Sequence, residues 1–241
     1  MNLATRRQVR AINLGFSNQI LGRALGWMGL GLALIISFAW ATLQFPNFAN
    51  AMIQIGNWYW LFLILNIGLS IGFSFLIANP RQTLGVAIVC YLAFVGFQAI
   101  FTSTTIIYSG IDLQNLILLM LIPSGIFLIM GIIAYFDWFD MTKLWPIATF
   151  GSLALLIMGI VLIFIQSQLT TRWWLLLAAG LFIIYIGIDM QMIVNNRHHQ
   201  WLTNDLNQNR AINKFALMMG LVLLVDFVNL LRIIINLWRT W

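Results

Sequence analysis

About seven apolar runs, each long enough to cross a bilayer, constrain this chain more than any motif in it. They cover roughly Ala24–Gln44, Trp58–Ala78, Leu84–Thr104, Leu113–Phe136, Leu144–Gln166, Trp173–Val194 and Phe215–Trp238. A helical span takes roughly 20 apolar residues. In hydrocarbon the backbone must bond to itself, which leaves helices or a closed barrel, and runs this long favour helices. Aromatic residues mark many of the ends: Trp58, Tyr59 and Trp60, then Trp138, Trp145, Trp173, Trp174 and Trp238. That is the belt expected where a helix leaves the membrane. Pro80 falls in a connection, and Pro123 inside the fourth run is expected to kink it.

Composition closes off the soluble alternatives. Of 241 residues, 62% are hydrophobic and 7% charged, and the mean hydropathy is +0.95. An ordinary soluble domain is about a quarter charged, so lipid has to solvate most of this surface. The expectation is an all-α integral membrane protein: a cytoplasmic N-terminal segment over 1–23, then one seven-helix transmembrane domain over 24–241. The net charge of +6 belongs to bases flanking the runs and so points to membrane orientation rather than nucleic acid. The first run follows Arg6, Arg7 and Arg10 but is longer than a signal-peptide core, so it reads as a span.

Nine Lys and Arg fall on one side of the expected topology: Arg6, Arg7, Arg10, Arg23, Arg81, Lys143, Arg197, Arg210 and Lys214. Three fall on the other: Arg172, Arg232 and Arg239. The positive-inside rule then puts the N-terminus in the cytoplasm and, with seven spans, the C-terminus outside a plasma membrane.

All six acids are aspartates, and two of them lie inside spans: Asp189 in the sixth run and Asp226 in the seventh. A carboxylate there costs about 2.5–3.5 kcal/mol on insertion scales, and such groups face a bundle interior or a wet cavity. Asp189 precedes Arg197 by about 12 Å of helix, and Asp226 follows Lys214 by about 18 Å. The difference lies within the freedom of tilt, so the two acids can meet. Carboxylates in contact do not both ionise readily and share a proton. Such a pair suits a proton-sensitive latch or, ionised, a weak oxygen site for Ca²⁺, which prefers six to eight oxygens. The alternative is a structural, hydrogen-bonded helix contact. Other polar residues extend the seam. Asp226, Asn229, Arg232 and Asn236 fall within an arc of about 120°. Asn66, Ser70 and Ser74 repeat every four residues, and the third run holds Gln98. Small and polar residues also serve simply as helix-packing contacts.

These residues resemble the Bax inhibitor family, the transmembrane Bax inhibitor motif proteins. Val225-Asp226-Phe227-Val228-Asn229-Leu230 is similar to its Leu-Asp-Phe-X-Asn-Leu signature. Ile188-Asp189-Met190-Gln191 resembles its Tyr-Asp-Thr-Gln pattern, keeping Asp and Gln. Tyr108-Ser109-Gly110-Ile111-Asp112-Leu113 looks like its Tyr-Thr-X-X-Asp-Leu element, and Arg23 with Trp27, Met28 and Gly31 like its first-helix entrance. The resemblance runs from about Arg23 to Trp238. It implies seven helices with the last one central, and a pH-sensitive Ca²⁺ leak sensed by Asp189 and Asp226. It also implies an arginine latch on the sixth-helix aspartate. Arg81 is the only base near that place and lies about a turn late. Gln191 and Asn229 are the supporting positions.

Other signals carry less. His198 and His199 are adjacent, point apart, and have no Cys or Glu to complete a metal site. Asp112 reads as a helix N-cap, and Asp137, Asp140 and Lys143 as an interfacial loop. The single Cys90 excludes an intrachain disulfide. No P-loop, Gly-X-Ser-X-Gly, His-Glu-X-X-His or dinucleotide motif is present, so neither an enzyme nor a resident cofactor is expected. The expected partners are the bilayer, Ca²⁺ and protons. A non-conducting regulator or scaffold for other membrane proteins, proteases included, is the alternative, and proton-coupled solute transport a third.

Overall fold

The computed structural model describes residues 3–45, 83–165, 167–194 and 208–240, with scattered positions between 47 and 75. Six α-helices follow in order: α1 Leu3–Gln44, α2 Leu84–Ser109, α3 Leu113–Phe136, α4 Trp145–Ile165, α5 Gln168–Val194 and α6 Gln208–Thr240. A 3-10 turn over Met141–Leu144 leads into α4. Each helix contributes to a stretch of 22 to 29 residues apolar enough to cross a membrane. At 1.5 Å per residue these measure about 33–44 Å, against a hydrocarbon core of about 30 Å. The described residues therefore form a helical membrane bundle with six candidate spans. The second apolar run is described only in part, at Leu65, Asn66, Gly68, Leu69, Ser70, Gly72, Phe73 and Phe75, all of them helical. Arg81, Pro80, Ser74, Trp58, His198, His199 and Asp205 lie outside the described residues.

Local chemistry sets the helix ends. Thr83 caps α2, its hydroxyl accepting from the Val86 N–H at 3.4 Å. Gly110, at φ +65, ends it in the left-handed conformation that lacks a steric penalty only for glycine. Asp112 then caps α3 by accepting from the Asn115 N–H at 3.0 Å, as the sequence suggests. α3 ends at Asp137, a left-handed aspartate at φ 53. The helix continues through Pro123, and the next residue, Ser124, donates its hydroxyl to the Met120 carbonyl at 2.8 Å. α1 begins well before the first apolar run: residues 3–23 are helical and run unbroken into it. No proline stands between Leu3 and Ala24, and the helix runs on through Gly15 and Gly22.

α6 is the most enclosed of the six spans. In its spanning window 78% of residues are buried, against 6% for the stretch containing α4. Leu217, Leu221, Leu224, Val228, Leu231 and Ile235 form one buried stripe, and Leu223, Phe227 and Leu230 bury other faces. Burial on several faces means that protein surrounds the helix, and α1, α2, α3 and α5 pack on it. α4 does the opposite, presenting Phe150 and Phe164 outward as a lipid-facing wall.

α1 and α6 approach through Gly220. A Cβ there would stand 2.7 Å from the Ala24 carbonyl oxygen and 2.7 Å from Trp27 Cβ. Near that crossing the Tyr91 hydroxyl donates to the Trp27 carbonyl, and the two rings meet edge to face at 5.5 Å. Arg23 donates to Asn213 Oδ1 at 2.6 Å, tying the middle of α1 to the first turns of α6. Gly220→Ala is expected to lower stability by about 1–3 kcal/mol, as overpacking does. Gly180→Ala, whose Cβ would meet nothing within 4 Å, is expected to be neutral or stabilising, by up to about 1 kcal/mol through helix propensity. Reversible unfolding in detergent micelles measures both.

Candidate functional site

Asp189 and Asp226 meet. Asp189 lies on α5 within the buried segment Ile186–Gln191, and Asp226 lies midway along α6. Each is only 7% exposed, and their carboxyl groups hydrogen-bond to one another. Their neighbours along the two helices, Ile186, Met190, Leu223, Phe227 and Leu230, are all buried and apolar. Asp226 Oδ2 has no hydrogen-bond partner among the described residues. The two carboxyls thus meet between two helices, each almost fully buried.

Gln191 stands two residues beyond Asp189 and turns away from the dyad. Its Nε2 donates to Asp137 Oδ1 at 3.0 Å and to the Phe139 carbonyl at 3.1 Å. Its Oε1 accepts from the Thr142 N–H at 3.2 Å. The side chain is 1% exposed and fastens the α3–α4 connection to α5. On that connection Asp140 and Lys143 form an ion pair at 3.9 Å. A glutamine buried in an apolar helix signals such partners, but the sequence alone does not say which backbone supplies them.

A second polar centre lies farther along α6. Arg232 is 5% exposed and donates to Asn229 Oδ1 at 3.2 Å, to Thr102 Oγ1 at 3.0 Å and to Gln98 Oε1. Its guanidinium lies 4.0 Å above the Phe101 ring centre. Gln98 in turn donates to Asn66 Oδ1 at 2.6 Å, so the chain of bonds joins α6, α2 and the second apolar run. Asn229 therefore serves the arginine. Arg232 also corrects the charge count, because it lies inside the bundle and not at a loop. The positive-inside rule weighs bases outside the spans, which leaves Arg172 and Arg239 on that side. Burial of Arg232 was signalled by its place on the Asp226 and Asn229 arc, and only the partners were hidden.

The described residues contain no group of three or more His, Cys, Asp or Glu that could hold a metal ion. Two carboxyls offer at most four oxygens, short of a full Ca²⁺ shell. Gln98→Leu is expected to remove about 1.5–3 kcal/mol of stability, the range for hydrogen bonds to a charged group. Thr105→Val should cost less, since among the described residues that hydroxyl bonds the Phe101 carbonyl of its own helix. Unfolding in micelles ranks the two.

A family model described as inhibitor of apoptosis-promoting Bax1 matches residues 17–239. The chain belongs to that family. Comparison with curated proteins gives no match.

Proposed function

We propose that this member of the Bax inhibitor family is a pH-sensitive leak for cations, Ca²⁺ foremost, across a plasma membrane. In this reading seven spans enclose α6 as their axis, the N-terminus is cytoplasmic and the C-terminus extracytoplasmic. Asp189 and Asp226 sense protons, and Arg81, Gln191 and Asn229 are the supporting positions. The observation that carries the reading is the buried carboxyl pair hydrogen-bonded between α5 and α6. Two carboxyls sharing one proton hold those helices together. Removing the proton replaces that bond with repulsion between two anions and leaves oxygens open to a cation. The α5–α6 contact therefore weakens as pH rises, and a path beside it inherits the dependence.

The test is Ca²⁺ entry into liposomes containing only the purified protein, from pH 6 to pH 8. Wild-type flux is expected to change across that range, and the profile of Asp189→Asn with Asp226→Asn to be flat. An unchanged profile in the double variant removes the dyad from the mechanism.

Arg232 favours a second reading, a non-conducting regulator or scaffold for membrane proteins. Six residues of helix put Arg232 about 9 Å along α6 from Asp226. At an effective dielectric constant of about 20, a divalent cation beside the dyad is repelled by about 4 kcal/mol from there. A leak following this seam should carry several-fold more Ca²⁺ in Arg232→Gln. Flux no greater than that of empty liposomes, in wild type and variant alike, selects the scaffold.

A further inference from the structure

A groove of about 550 Å³ runs between α1 and α3. One wall is a single face of α1, from Leu21 through Leu25 and Met28 to Leu32, at helical spacing. The other is one face of α3, from Ser124 to Phe136. The floor is Met190 of α5 and Phe227 of α6, each only 3% exposed and each the residue after a dyad aspartate.

Length, chemistry and shape specify the occupant. The α1 wall is about 16 Å long and the α3 wall about 18 Å. One leaflet of hydrocarbon is about 15 Å deep, half the core thickness. One end of the groove lies at Tyr135 and Phe136, beside the exposed Trp138, which stacks on Phe136 at 5.6 Å. Such aromatic residues mark the membrane–water interface, so the groove reaches from an interface to the bilayer midplane. Its lining offers no polar ligand a hold: the Ser124 hydroxyl already donates to Met120, and the only other hydroxyl, that of Tyr135, sits at the mouth. Gly29 and Gly131 both line it, and a Cβ on either would meet nothing within 4 Å. Glycines in spans commonly let helices approach closely, yet these two open space that no described residue fills. The rims, with Leu25, Leu128 and Ile132 exposed, face outward to lipid.

We infer that this groove binds one acyl chain of a membrane phospholipid, lying along the bilayer normal with its flank against Met190 and Phe227. The inference is independent of whether the protein conducts.

The probe is phosphatidylcholine carrying a diazirine at mid-chain, present in trace amount in phosphatidylcholine–phosphatidylglycerol liposomes containing the full chain. After photolysis, adducts are mapped by peptide mass spectrometry. Adducts on Met28, Phe127 and Met190 are expected to exceed, several-fold for their exposure, those on Phe150 and Phe164 of the lipid-facing α4 wall. Met190 is the diagnostic position, because it is reached only at the groove floor. Gly131→Leu and, separately, Gly29→Leu fill the space and should abolish the Met190 adduct, with unfolding in micelles showing that the fold is kept. Labelling of the groove no greater than that of α4, or a Met190 adduct that survives both fillings, overturns the site.

Discussion

A helix that carries a carboxyl and a guanidinium six residues apart does not rest against hydrocarbon. α6 carries Asp226 and Arg232, and the bundle is arranged to keep both from lipid. α5 supplies the second carboxyl, α2 supplies Gln98, Thr102 and the Phe101 ring, and α1 closes on the remaining face through Gly220. α4 lacks any such group and is free to be a wall against lipid. Position in the bundle follows from which spans hold polar side chains.

The two polar centres on α6 are built on opposite plans. Arg232 keeps its charge at any accessible pH, so it is met by several neutral acceptors and an aromatic face. The aspartates can lose or keep a charge, and they are given little except each other. A permanent charge needs a fixed set of partners, whereas the carboxyl pair stands among the buried apolar side chains of its own two helices.

Much of this was legible in the sequence. The apolar runs locate the spans, and the levels of Asp189 and Asp226 relative to the flanking bases allow them to meet. The 3.6-residue period puts Arg232 on the Asp226 face. What stayed hidden is what lies between helices distant in the chain. The clamp of Gln191 on residues 137–142 joins segments about fifty positions apart, and the tightness at Gly220 depends on how closely α1 crosses.

Gln191 gives the dyad a mechanical connection to the membrane surface. It is on the same rigid helix as Asp189, two residues away, and three hydrogen bonds hold it to the turn between α3 and α4. Any roll of α5 that draws Asp189 from Asp226 must drag that turn along or break those bonds. The turn carries Trp138, Phe139 and Lys143 at the surface. Parting the two carboxyls inside the bundle therefore also has to move a turn that presents aromatic and basic side chains outside it.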